Sequence, residues 1–495
     1  MIKTIVTGLF ICCAALSCKS PKSTVPENMQ RNVSESMLDS DTATVYMDKE
    51  LPAKRSIGTL FEKMDYQEAV QCYLWALPIV AFAEWQRVHQ EVFGAGSNDL
   101  VYYNSYEDKL GILTANATTP YIISFIDLAK NGPTVIEMPA GHTAGGLADF
   151  WQREQAVIGE FGPDKGKGGK YVLLPPGAAD FNAPGFFTVP CNTMNVFFGF
   201  RALDPDSVKA LALVNGVKIY PYAQRANPTP TRVISPAGKK YFGGQPHGMA
   251  YWERLNAILQ DEPVAERDRF FMAWLDNLGL KKGKSFAPTE RQKKILMAAA
   301  TAGEQMAMAN SFAKRFDSVY HWADRKWDYV LLLSDPSQRA QNYDEFFQRA
   351  SYFFEAVTYS KSMITQVPNV GQAYLGAYED QDGQWLMGGI SYTLHVPANP
   401  PAVNFWSLTV YDAATRCLID NPQRNADLSS RKDLIRNSDG SVDLYFGPKA
   451  PAGKEKNWVQ TIPGKHWFAY MRFYGPTAAY FDKSWKMDDM VRVKE

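Results

Sequence analysis

The sequence predicts an α+β protein, mainly β, with two β-rich domains, the second a jelly-roll-like sandwich, and a helical segment between them. Three observations carry this expectation. Between about 100 and 245, short apolar runs alternate with Pro, Gly and Asn, the punctuation of strands and turns. From Gly248 to Thr365, apolar residues recur at helical spacing over longer stretches. From Gln366 onward, alternating and aromatic-rich runs return.

Taken in order, the chain opens with Met1, Ile2 and Lys3, then an apolar stretch through Leu16, then Ser17 and Cys18. One basic residue, a short hydrophobic run and a small residue before a cysteine make residues 1–18 a secretory signal. Its ending, Ala15-Leu16-Ser17-Cys18, resembles a bacterial lipobox, so a lipid-bearing Cys18 is expected to begin the mature chain. The apolar run is too short to cross a bilayer comfortably. Residues 19–64 are polar and Ser/Thr-rich and read as a tether holding the folded body off the lipid surface.

The first domain is expected over 65–247. Its leading helix starts at Asp65, a suitable N-cap, with Tyr66, Ala69, Val70, Tyr73 and Leu74 at helical spacing and Pro78 as a kink or break. Strands follow over Tyr121–Ile126, Thr134–Met138, Tyr171–Leu174 and Asn195–Phe200. The helical segment, 248–365, predicts helices over Tyr251–Gln260, Pro263–Gly279, Thr289–Phe316 and Tyr343–Ile364. Thr289 and Gln292 stand at capping-box spacing, Gly279 reads as a stop, and Gly303 as a close-packing point. The second domain, 366–495, predicts strands over Trp385–His395, Val403–Tyr411, Val442–Phe446 and Trp467–Phe473, with turn signals at Asp382-Gly383 and Asp439-Gly440.

Composition narrows the function classes. Of 495 residues, 46% are hydrophobic and 13% aromatic, ample for large cores. The 52 basic side chains balance 52 acidic ones, which argues against a broad electrostatic hold on nucleic acid. Six cysteines are present, but Cys12 and Cys13 leave with the signal and Cys18 is consumed by lipid. Cys72, Cys191 and Cys417 remain at wide spacing, neither a disulfide framework nor a zinc pattern. They are expected as buried thiols, with one bridge as the alternative. No Gly-x-Ser-x-Gly elbow, Walker loop or His-Glu-x-x-His occurs, so no metal is expected and no cofactor is indicated.

The last third of the chain contains Phe405-Trp406-Ser407-Leu408-Thr409-Val410-Tyr411-Asp412, then Asn437-Ser438-Asp439-Gly440-Ser441, Asn457-Trp458 and Arg472-Phe473-Tyr474-Gly475-Pro476. This ordered set resembles the C-terminal half of a bacterial family that joins the domains of unknown function 1254 and 1214. The first half is similar too. Thr114-Ala115-Asn116-Ala117-Thr118-Thr119-Pro120-Tyr121 sits where that family tends to carry Thr-Pro-Asn-X-Asp-Thr-Leu-Tyr. Here Thr118 stands in place of the family's Asp, which removes a carboxylate. The resemblance implies two β-rich domains set against each other, and its jelly roll compares with those of glycan-processing enzymes at the level of fold alone.

Several residues carry the chemistry. Asn116, Thr118 and Tyr121 cluster before a strand, where short polar side chains can orient a ligand or simply make turns. Asp127, Arg201 and Arg472 sit in or beside apolar strands, as structural ion pairs or as an Arg fork for a carboxylate or sulfate. His142 and His395 are the candidate general bases. Trp406, Trp458 and Tyr474 fill a core or stack on a sugar ring. The expected protein is a lipid-anchored cell-envelope protein on the periplasmic side or outer surface of a bacterial membrane. The first functional expectation is a hydrolase-like enzyme using Asp127, Arg201, His395 and Arg472 on a polar or glycan-derived substrate in an inter-domain cleft. The second is a non-catalytic binding or scaffolding protein, and the third a homo-oligomer. A histidine near a carboxylate and an arginine in one pocket separates the first two.

Overall fold

The computed structural model describes residues 45–178, 181, 183–204, 206–316 and 318–494. The signal with Cys18 and most of the expected tether lie outside them. The chain divides into two compact units, Met1–Lys63 and Met64–Glu495. In the first, Met47–Asp48 pairs antiparallel with Leu51–Pro52, and Lys49 turns the hairpin at φ 56°. A 3-10 turn over Lys54–Ser56 follows, and the Tyr46 amide donates to the Ser56 hydroxyl at 2.9 Å. Residues 45–64 therefore carry regular structure, where the sequence reading places a tether.

The first helix runs Ile57–Arg87, starting earlier than Asp65. Its first turns are largely exposed, although Ile57, Leu60, Phe61 and Met64 stand at helical spacing, and extending an existing helix is inexpensive. Nor does Pro78 break it. Proline frees carbonyls of the preceding turn, and here side chains from elsewhere cover the stretch. The Tyr251 hydroxyl donates to Tyr73 O at 2.6 Å, Arg349 Nη2 to Trp75 O at 2.7 Å, and Gln152 Nε2 to Pro78 O at 2.8 Å. A π-helical turn over Val88–Val92 ends the element. No helix of the described residues is long and apolar enough to cross a membrane.

The fold is mixed α+β with β-rich parts. The first part holds two sheets. The six-stranded sheet runs in the order Val233–Ile234, Leu100–Tyr103, Tyr121–Asp127, Asn195–Ala202, Thr143–Asp149, Glu154–Gly159. A four-stranded sheet holds Lys218–Pro221, Thr134–Met138, Gly169–Leu174 and Phe187–Pro190. Alternation explains their packing. Ile122, Ile126, Val196 and Phe198 join a core with Ile136 and Leu173 of the second sheet. The opposite face sends Phe125 and Phe197 against Phe82 of the long helix, with Phe82 and Phe197 stacked at 4.8 Å. A strand buried on both faces is mostly apolar, as the interior of Tyr121–Asp127 is, with Ser124 the one polar residue between its ends.

The helices of the middle segment are Met249–Asp261, Arg269–Asn277, Glu290–Phe312 and Phe346–Glu355. The Thr289–Gln292 capping box is formed, and Gly279 ends its helix at φ 87°. A Cβ at Gly303 would stand 2.6 Å from the Tyr73 ring, so that glycine is a close-packing point between helices. The last helix stops at Glu355, short of Ile364, because the chain turns extended at Ala356 and into positive φ at Thr358.

The second part again holds two sheets. Trp327–Tyr329, Gln372–Ala377, Trp467–Pro476, Ala402–Asp412 and Asp427–Ser429 form one, in that order. Trp458–Gln460, Val442–Gly447, Tyr392–Val396 and Val491–Arg492 form the other. The expected strand Trp385–His395 shrinks to Tyr392–Val396, and its first residues make isolated bridges instead, Glu379 with Trp385 and Met387 with His466. Cys72, Cys191 and Cys417 are buried and unpaired.

Candidate functional site: a cavity between two sheets

Within the second unit, a cavity of about 240 Å³ lies between the six-stranded and the five-stranded sheet. Period-two alternation decides which side chains meet there. On one wall Arg201 pairs in register with Ala144, and Gly199 with both Gly146 and Ile123. Gly146 in turn pairs with Val157 and Ala148 with Glu154 on the edge strand. On the other wall, Gln372 pairs with Tyr474 and Tyr374 with Arg472. The middle of the first wall thus has no side chain of its own at Gly146 and Gly199, and the Phe197 ring lies over Gly199, where a Cβ would stand 2.6 Å from it. A Cβ at Gly145 would stand 2.4 Å from the Gly199 carbonyl oxygen, so the close approach requires glycine there.

Two arginines hold opposite walls of this space. Arg472 is buried and fully engaged: Nη1 donates to the Tyr411 hydroxyl at 2.6 Å and the Thr409 hydroxyl at 3.2 Å, and Nη2 to the Thr114 carbonyl at 2.8 Å. Arg201 is half-buried, its guanidinium 4.3 Å from the centre of the Tyr121 ring. Its Nη1 is closed off from solvent and has no hydrogen-bond partner among the described residues. Neither arginine has a carboxylate within ion-pair distance among the described residues. Burial lowers the pKa of both guanidinium groups, the surrounding tyrosines raise it, and the net shift of each is upward. Tyr374 and Tyr474 are themselves pushed up by burial and stay as neutral hydroxyls.

The loop before Tyr121 closes one side. Asn116 donates through Nδ2 to the Tyr474 hydroxyl, and its amide donates to the Tyr121 hydroxyl at 2.7 Å. Beneath it, the buried Lys109 ammonium donates to the carbonyls of Ala117 at 3.0 Å and Thr119 at 3.1 Å. Burial, with repulsion from Arg201, lowers the Lys109 pKa to about 8. Two threonines of the wall hold positive φ, Thr114 at 38° and Thr358 at 66°. Among the described residues these are the only β-branched ones with that backbone, a conformation such residues resist. Strain of this kind concentrates where surrounding structure clamps a ligand site. Thr358 is clamped on both sides: its amide donates to Gln152 Oε1 at 2.7 Å and its carbonyl accepts from Tyr352 at 2.7 Å.

The structure gathers five of the residues named from sequence: Asn116, Tyr121, Arg201, Arg472 and Tyr474. The others sit elsewhere. Asp127 ends the strand that Tyr121 begins, and its carboxylate caps a short helix by accepting from the Lys130 amide at 2.9 Å. A helix cap looks in sequence like a charged residue beside an apolar strand. His395 lies in the four-stranded sheet Trp458–Arg492, paired with Asp443 at 2.7 Å and partly exposed. His142 is exposed and paired with Glu160. Thr118 donates to Asp427 Oδ2 at 3.0 Å, behind the loop. Trp406 is core, and the Trp458 indole donates to Gly447 O at 3.0 Å. Neither tryptophan lines the cavity.

Sequence reasoning missed Lys109, Thr114, Glu154, Thr358, Tyr374 and Tyr470. The alternation of Gln372-Ala373-Tyr374 and Tyr470-Met471-Arg472-Phe473-Tyr474 carried part of that signal, since even positions share one face. Lys109 and the two strained threonines left none.

Comparison with known proteins fits this arrangement. Residues 97–221 match the family described as a protein of unknown function (DUF1254), and residues 371–478 match another described likewise (DUF1214). The chain carries a DUF1254 segment followed by a DUF1214 segment. The two segments supply the two walls of the cavity. The crystal structure of the VPA0106 protein from Vibrio parahaemolyticus aligns with TM-score 0.54 at 17% identity, covering 87% of this chain and 100% of that one, which shows a shared fold. An uncharacterized protein from Burkholderia cenocepacia aligns with TM-score 0.40 at 11% identity, over 89% of this chain and 97% of that one. No curated protein matches this chain.

Proposed function

We propose that this protein binds a small anionic molecule in the cavity between its two sheets, as a non-catalytic ligand-binding protein of the cell envelope. One observation carries the reading. Arg201 reaches the cavity with Nη1 closed off and unpartnered, opposite an Arg472 that also lacks a carboxylate. A guanidinium left that way is costly unless an anion completes it. Arg forks match carboxylate and sulfate geometry. That neither His142 nor His395 lines the cavity, each pairing with a carboxylate outside it, supports binding over proton-transfer chemistry that uses them. Titration calorimetry with acetate, sulfate and larger organic anions tests the reading. Binding to the wild type that Arg201→Met removes supports it, and no binding by any anion refutes it.

A hydrolase-like enzyme acting on a polar or glycan-derived substrate is the second reading, and Glu154 favours it. This carboxyl lines the cavity and burial raises its pKa. Raised carboxyls serve as general acids near neutrality. Turnover of a glycoside or ester lost in Glu154→Gln would support this reading over the first. The envelope location rests on the signal and lipobox of residues 1–18. Incorporation of labelled palmitate that Cys18→Ser abolishes tests it.

A further inference from the structure

The geometry points to a flat, aromatic or conjugated carboxylate as the occupant of the cavity, a refinement that rests on the anion-binding reading above. The argument begins with what the six-stranded sheet lacks. Its cavity-facing positions in the middle are Gly199, Gly146, Ala144 and Ala148, paired across neighbouring strands. A sheet packed face to face normally fills the space above it with side chains, since packed sheets stand about 10 Å apart. Here four adjacent positions contribute a methyl group or nothing. What remains is a slot floored at Gly199 by the Phe197 ring, which a Cβ there would meet at 2.6 Å, and bordered by Ala144, Gly146 and Ala148.

The slot is bordered by rings. Phe197 and Tyr374 flank it from the two walls, and Tyr121 and Tyr474 stand at the arginine end. Aromatic faces and edges pair best with another π-system at close contact, and a rigid ring loses little conformational freedom on binding. A flexible acyl chain gains less from these rings and loses more rotamer freedom. The positive charge sits at one end: Arg201 is in register with Ala144, so it borders the patch of small residues directly. Glu154 lies at the far edge, level with Ala148, and its carboxylate accepts from the Lys361 amide at 3.1 Å. A single anionic group with an uncharged planar body therefore matches the lining. The space of about 240 Å³ suits a compact molecule, not a polymer chain.

The test titrates the full-length protein with benzoate, 2-naphthoate, cyclohexanecarboxylate, hexanoate, benzenesulfonate and benzamide. Benzoate or 2-naphthoate should bind at least about tenfold more tightly than cyclohexanecarboxylate, hexanoate or benzamide. Ala144→Leu, which fills the floor beside Arg201, should abolish that binding while the urea midpoint stays unchanged. Saturated acids binding as tightly as aromatic ones would overturn the inference and leave the anion-binding reading standing. Benzenesulfonate alone binding would overturn the carboxylate assignment. Binding undiminished in a folded Ala144→Leu would show that the floor is not the site. Failure of every anion would end both readings together.

Discussion

Arg472 Nη2 donates a 2.8 Å hydrogen bond to the carbonyl of Thr114, a residue 358 positions earlier in the chain. The same carbonyl lies 3.3 Å from the Tyr411 hydroxyl, which also accepts from Arg472. Thr114 holds this position only by adopting φ 38°. One buried guanidinium thereby joins the DUF1254 segment to the DUF1214 segment at the wall of the cavity. The two cavity arginines consequently have different physical roles.

Arg472→Met should destabilise the protein by about 2–4 kcal/mol, because it removes hydrogen bonds to three buried oxygens at once. Arg201→Met should shift stability by less than about 1 kcal/mol, since it removes an unpartnered donor and one ring contact. Urea unfolding of both variants checks this. Equal losses would contradict the division between a structural arginine and a ligand-facing one.

Glu355 makes stability fall with rising pH. It is fully buried, accepts from the Tyr378 hydroxyl at 2.9 Å, and burial raises its pKa from 4.5 to about 7. The folded state therefore holds a proton that the unfolded chain releases, so the stabilising contribution is complete below about 4.5 and lost as pH rises through about 7. Glu262, raised to about 7 by burial, acts in the same direction. Stability measured from pH 5 to pH 8 should decline less steeply in Glu355→Gln than in the wild type. An identical slope would mean that Glu355 is ionised throughout.

Thr358→Asn should stabilise the fold by about 1 kcal/mol, because asparagine tolerates the φ of 66° that threonine resists. The clamp from Gln152 and Tyr352 uses backbone atoms of residue 358, so it survives the change. Denaturant midpoints decide the sign, and a loss of stability would show that the threonine side chain itself is needed.

Gly303→Ala should cost about 1–3 kcal/mol, since the new methyl would stand 2.6 Å from the Tyr73 ring and force the two helices apart. Thermal unfolding of the variant measures it. An unchanged midpoint would mean that Tyr73 can swing aside despite the stacking of its ring on Tyr251 at 4.0 Å.

Much of the framework was legible before any tertiary structure. The Thr289–Gln292 box, the stop at Gly279 and the strands around Tyr121, Asn195, Ala402 and Trp467 are local: each depends on neighbours within a few residues. Of the kink or break expected at Pro78, the break does not occur, and what covers that stretch is not local. The side chains that cover that stretch of helix come from Gln152, Tyr251 and Arg349. Asp127 and His395 lie outside the cavity, in a helix cap and an ion pair that use the same residue types as catalysis.

By itself, the sequence determined the mixed α+β, β-rich class of fold, and it named Arg201 and Arg472 as candidate catalytic residues and Asn116, Tyr121 and Tyr474 as candidate ligand contacts. Alternation, capping and the polarity of a side chain in an apolar run are written in one dimension. Only the tertiary structure decided that these five share a cavity, that Arg472 finds its partners while Arg201 Nη1 does not, and that Gly199 leaves room for the Phe197 ring to lie over the floor. Those facts depend on strand register and on contacts across hundreds of residues. Register is settled by the packing of two sheets, not by the strands one at a time.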